Sequence, residues 1–187
     1  MLSYRAFHPV AWVLFLTSCA PPGSSASPAD GDGPHSVDTR SDSSVELIAD
    51  GRTDTYTLIA RMLGGTPIES PDCGHADFGP HITQAFDSTL RKSVFVFHIH
   101  VSHDTDRCRN FDRQRNEIKT YGPSPGYTKA FENDRTTYRW RFRLDPTFQP
   151  SERFTHIHQL KAGDGDAGAP IITLTPRLGS PDALELI

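Results

Sequence analysis

Four ionisable side chains alternate along Arg113-Gln114-Arg115-Asn116-Glu117-Ile118-Lys119, and two imidazoles alternate along Thr155-His156-Ile157-His158-Gln159. Successive side chains of a β-strand point to opposite faces, so Arg113, Arg115, Glu117 and Lys119 would share one face, as would His156 and His158. Ile118 and Ile157 would point the other way. A face made of Arg, Glu, Lys and His suits an anionic, hydrogen-bonding partner better than an apolar core. Glu117, set between Arg115 and Lys119, would also hold both cations rigid as an ion-pair partner. His98 and His100 form a second imidazole pair. Imidazoles two apart on a strand can converge on a metal ion. Val101-Ser102-His103-Asp104 follows, with no Glu at the spacing a cupin-type site needs. The expectation is therefore that the chain uses no metal and no cofactor.

Such residues need a β-rich frame to position them. In residues 93–101, Phe95, Phe97, Ile99 and Val101 alternate with Val94, Val96, His98 and His100. In residues 137–144, Tyr138, Trp140, Phe142 and Leu144 form an apolar face opposite Arg139, Arg141 and Arg143. The three arginines read either as a solvated face or as an extension of a polyanion groove. Residues 81–86 and 170–175 read as further strands, and Gly, Pro and Asp turns separate the segments. The pattern predicts an all-β, antiparallel sandwich. One short N-terminal helix is expected over residues 55–63, stopped by Gly64-Gly65.

The chain has 187 residues with a net charge of -4, which points away from both nucleic-acid binding and wholesale disorder. Residues 1–19 read as a leader, with Arg5 ahead of an apolar run from Val10 to Leu16 that is too short for a membrane span. Leu16-Thr17-Ser18-Cys19 resembles a bacterial lipobox, which would place a lipid on Cys19. The rival reading is an ordinary signal peptide with a chance cysteine. Ala20 follows, with no Asp to suggest inner-membrane retention. Residues 20–44 are rich in Pro, Gly, Ser and Asp and read as a flexible tether. The expected location is the bacterial cell envelope, at the outer membrane in a Gram-negative cell. Cys73 and Cys108 remain, and export favours a disulfide over two buried thiols.

Arg115-Asn116-Glu117-Ile118-Lys119 resembles the R-x-E-[L/I]-[R/K] strand of alginate-lyase-like jelly rolls, and His156-Ile157-His158 resembles their Q-I-H strand. The surrounding DRQRNEIKTY and FTHIHQLKA segments are similar to secreted bacterial polysaccharide-lyase-like proteins, including heparinase-like ones. The resemblance spans roughly residues 70–177. It implies a concanavalin-like jelly roll over residues 45–187 whose concave sheet binds an acidic polysaccharide. Arg115 and Lys119 would bind uronate carboxylates, with Glu117 orienting them. Arg113, His98, His100 and Gln159 would line the same surface. His158 would be the base, and His156 stands where the family has a Gln that neutralises the carboxylate.

The implied chemistry is β-elimination. Taking the C5 proton of a uronic acid spreads negative charge onto the adjacent carboxylate, so cationic or hydrogen-bonding groups must meet it. Histidine suits the proton transfer near neutral pH. A two-carboxylate glycosidase is disfavoured, because only Glu117 stands amid the expected cleft. The family's acid is a Tyr in a late Y-x-K-x-G-x-Y strand, and no such motif occurs before Ile187. A sandwich of this kind runs to roughly 200 residues or more, so the expectation is a C-terminally incomplete member. Tyr138 falls on the apolar face of its strand, which leaves Tyr121, in register with Lys119, as the in-chain candidate acid. A monomer is expected, acting either as a lyase or as a non-catalytic glycan-binding lipoprotein.

Overall fold

A computed structural model describes residues 14–16, 44–100, 104–153, 155–164 and 168–187. Cys19 and nearly all of the expected tether lie outside the described residues, as do Val101 and His103.

Helix α1 (Thr55–Leu63) forms where local punctuation demands it. The Asp54 side chain accepts hydrogen bonds from the Thr57 backbone N–H at 2.9 Å and the Thr57 hydroxyl at 2.8 Å, capping the N-terminus. At the other end Gly64 takes φ +67° and its N–H returns to the Ala60 carbonyl. Gly65 follows at φ +61°, and a Cβ there would meet the Tyr121 hydroxyl, so the sharp exit requires glycine.

The other regular elements of the described chain are short strands and two 3-10 turns. β1 (Leu14–Leu16), inside the segment read as a leader, pairs antiparallel with both β2 (Val45–Glu46) and β7 (Tyr138–Trp140). β3 (Ile68–Glu69) pairs with β6 (Glu117–Ile118), and β4 (Ile82–Asp87) pairs with β5 (Lys92–Phe97) as a hairpin. β8 (His158–Lys161), β9 (Pro170–Arg177) and β10 (Ala183–Leu186) form a three-stranded sheet in the order β10-β9-β8. Among the described residues every pairing is antiparallel, so the fold there is all-β with one α-helix, arranged in four small sheets. Among the described residues no helix is long and apolar enough to cross a membrane.

The core lies between α1 and the β4–β5 hairpin. Leu47, Ala49, Ile59, Leu63, Ile82 and Phe95 are buried together, with Ile68 and Ile118 packed against them. α1 presents Ile59 and Leu63 to this core, four residues apart and therefore on one face. Val94, Phe95 and Val96 are all buried, so β5 is covered on both faces.

Several strands are shorter than their sequence pattern. The 93–101 segment is paired only as far as Phe97, and the 113–119 segment contributes only Glu117 and Ile118. Alternating burial nevertheless runs on past β7, with Arg141 and Arg143 exposed and Phe142 and Leu144 half-buried. Cys73 and Cys108 are joined as a disulfide that ties the turn at Asp72–Gly74 to the loop following His100.

Candidate functional site

The register of β3 on β6 sets Glu69 opposite Glu117. Two carboxylates facing each other across a strand pair repel, and the cations around them resolve the conflict. Glu69, only 3% exposed, contacts Arg115 Nη1 at 2.5 Å, Arg107 Nη1 at 2.6 Å and Lys119 Nζ. Arg115 also reaches Glu117 at 3.1 Å and Asp106 at 3.4 Å. Asp106, 1% exposed, accepts from Arg107 Nε at 2.7 Å and from Asn110 at 2.8 Å. Burial alone would raise the Glu69 carboxyl, yet hydrogen bonds from Lys119 and Arg115 hold it below its ordinary value. Glu117 moves the other way. Burial pushes it up against the pull of Arg115, and the neighbouring Glu69 adds to the rise.

Arg115, Glu117 and Lys119 thus come together as their alternation suggested, but around a buried acid that the pattern did not single out. Both cations already hold carboxylates. A uronate arriving there would have to compete with Glu69 and Asp106, which desolvation and geometry place first. Arg113 is not part of the cluster; it pairs with its neighbour Asp112, and both are exposed.

The same segment is stitched to the end of the hairpin. Asn116 Nδ2 donates to the carbonyls of His81 and His98 at 2.9 and 2.8 Å, and Gln114 donates to the His100 carbonyl at 3.0 Å. His98 Nε2 lies 2.9 Å from the Thr83 hydroxyl. His100 turns instead to Asp104, which accepts from its backbone N–H at 2.6 Å and lies 3.1 Å from its Nδ1. The His75 and His100 rings stack at 4.4 Å, and His81 lies 5.1 Å from His75. His81 Nδ1 meets Asp72 at 2.8 Å, and Asp72 also accepts from the Tyr56 hydroxyl at 2.7 Å. Burial drives the Tyr56 hydroxyl up to about 12. His75, His81 and Asp104 escaped the sequence reading, although His75 stands two residues past a disulfide cysteine and Asp104 four past His100.

His158 lies on another sheet, with β9 and β10, so the two segments that opened the sequence reading do not share one. The His158 ring packs on Trp140 at 4.1 Å and stands 6.4 Å from Tyr138. The apolar face of β7 therefore carries a phenol beside the imidazole. Burial pushes the His158 pKa down and the Tyr138 pKa up, which favours a neutral imidazole and a protonated phenol. His156, just outside β8 and exposed, sets its Nδ1 2.8 Å from the Thr175 hydroxyl. Burial and the charge of Arg177 both lower its pKa. Gln159 is exposed on β8. Tyr121 is occupied elsewhere, accepting from the Thr66 N–H at 2.6 Å with Lys119 5.1 Å above its ring.

No protein-family model, no curated protein and no solved structure matches the chain.

Proposed function

We propose that this protein binds an acidic, uronate-containing polysaccharide and cleaves it by β-elimination, with His158 as base and Tyr138 as acid. The reading rests on one observation: the imidazole, the phenol and the Trp140 ring are gathered in one aromatic cluster. In β-elimination the base takes a proton from C5 while the acid protonates the oxygen leaving C4. Each group must come within about 3.2 Å of its target atom, so base and acid stand at most about 8 Å apart. The centroids of the two rings lie 6.4 Å apart, which makes them neighbours. Trp140 supplies a flat apolar surface of the kind that binding sites use to seat ligands. His156, two residues before His158, is a group able to hydrogen-bond the charge that develops on the uronate carboxylate; Arg177, whose charge lowers the His156 pKa, already holds Glu185 at 2.9 Å. Arg115 and Lys119 serve in this scheme as structural ion-pair partners.

The wider proposal keeps the jelly-roll sandwich as the frame, a lipid on Cys19 as the anchor, and the bacterial envelope as the location of a monomer. A second reading is a lipoprotein that holds such a glycan without cutting it, for which the exposed Arg139 and Arg141 are candidate contacts. Paired substitutions separate the two. His158→Ala and Tyr138→Phe should each abolish release of unsaturated fragments while glycan binding persists. Full turnover by either variant would remove that residue from its role.

A further inference from the structure

A group of donors outside the His158 cluster converges where the disulfide-bound turn meets the end of the β4–β5 hairpin. His75, His81, His100 and Asp104 each offer one ligand atom, and these atoms all lie within 4.8 Å of one another. His75 Nε2 approaches Asp104 Oδ1 at 2.6 Å, and His100 Nδ1 lies 3.1 Å from the same oxygen. Tetrahedral zinc, with bonds of about 2.0–2.2 Å, holds its ligand atoms about 3.3 Å apart. The cluster straddles that spacing.

His81 supplies the second, independent observation. Its ring is 0% exposed, and Nε2 is buried with no hydrogen-bond partner. Asp72 faces Nδ1, so the ring proton belongs there and Nε2 presents a bare lone pair. Metal-ligating histidines are oriented in this way by a carboxylate on their far nitrogen. The orientation is itself braced, because Asp72 also accepts from the His81 backbone N–H at 2.9 Å and from Tyr56. His75 Nε2 is likewise buried without a hydrogen bond, despite its short approach to Asp104. A plain histidine–aspartate ion pair would satisfy Asp104 but would leave His81 Nε2 orphaned.

We propose that His75, His81, His100 and Asp104 bind one divalent transition-metal ion, zinc by the nature of the donors, as a structural site. Three imidazoles and one carboxylate form a nitrogen-rich set suited to zinc, and four protein ligands close its coordination shell. The charges also balance: two carboxylates, Asp104 and the outlying Asp72, match a doubly charged ion among neutral imidazoles. Phe78 packs on His81 and His100 at 4.8 Å and screens one side of the cluster. The ion would fasten the turn after Cys73 to the hairpin, doing locally what the disulfide does two residues away.

The test uses the full chain with its disulfide intact, stripped with chelator and then titrated with zinc or cobalt(II). The expected result is one zinc per chain by elemental analysis and, in the cobalt form, the intense visible bands of tetrahedral coordination. His100→Ala removes a partly exposed ligand and should abolish the bands and weaken zinc binding at least about 100-fold, with the far-ultraviolet spectrum unchanged. Asp72→Asn should weaken it about 10–100-fold. Should the His100 variant fail to fold, His75→Ala carries the same expectation. Wild-type protein that takes up no zinc, or unchanged affinity in the ligand variants, would overturn the proposal.

Discussion

Replacing Glu69 by Gln keeps the volume of the side chain and removes its charge from the midst of three cations. Removing one partner of a buried ion pair costs about 3–5 kcal/mol, since the remaining charge is left uncompensated. Here the Arg107, Arg115 and Lys119 side chains are 35%, 28% and 32% exposed, so water reaches each of them. Arg107 and Arg115 also keep Asp106. Solvent screening therefore brings the cost below that range, to about 2–3 kcal/mol. Urea unfolding of the oxidised protein measures it. With a slope of about 2 kcal/mol/M, the midpoint should fall by about 1–1.5 M. Arg113→Gln is the control. Its pair with Asp112 is 50% and 66% exposed and is screened by solvent, so the midpoint should hardly move. The pH dependence follows from the direction of the shift. The folded Glu69 carboxyl titrates below its ordinary 4.5, so the advantage of wild type over Glu69→Gln is fully present above that value. It is lost as pH falls through the lowered folded value. Glu117, raised in the folded state, behaves oppositely, and Glu117→Gln should leave stability at neutral pH unchanged or higher. A Glu69→Gln midpoint no lower than that of Arg113→Gln would refute this account of the network.

Two further outcomes are expected. The kcat/KM profile on an acidic polysaccharide should have its acid limb centred below pH 6.5 and its alkaline limb centred above pH 10, because burial lowers His158 from 6.5 and raises Tyr138 from 10.0; a limb centred near pH 8 would contradict the pairing. Reducing the Cys73–Cys108 bridge, which spans 35 positions, should cost about 4 kcal/mol by chain entropy and lower Tm by about 10 °C, as read by calorimetry with and without reductant. An unchanged Tm after full reduction would mean that the metal cluster and the Glu69 network hold the loop unaided.

What could be read from the sequence was local. Gly64-Gly65 mark the end of α1, and β4, β5 and β9 carry enough apolar pattern to declare themselves. The disulfide followed from two cysteines being left, once Cys19 is set aside, in a chain read as exported. Long-range placement was not legible. Alternation correctly grouped Arg115, Glu117 and Lys119, but nothing in a two-residue strand announces Glu69 as their shared acid. The imidazole pairs misled in a similar way. His98 and His100 part company because the strand ends at Phe97, and His100 finds partners brought by a turn and a hairpin start some twenty residues upstream. Tyr138 was set aside because its strand face is apolar, yet that face is where His158 packs.

The proposed activity is most directly tested by incubating the protein with a panel of uronate-containing polysaccharides and following the ultraviolet absorbance of the unsaturated ends that only elimination creates. The account predicts a steady rise on at least one polymer, absent with His158→Ala. No rise on any polymer, with binding retained, would contradict the elimination chemistry and leave the glycan-binding reading in its place.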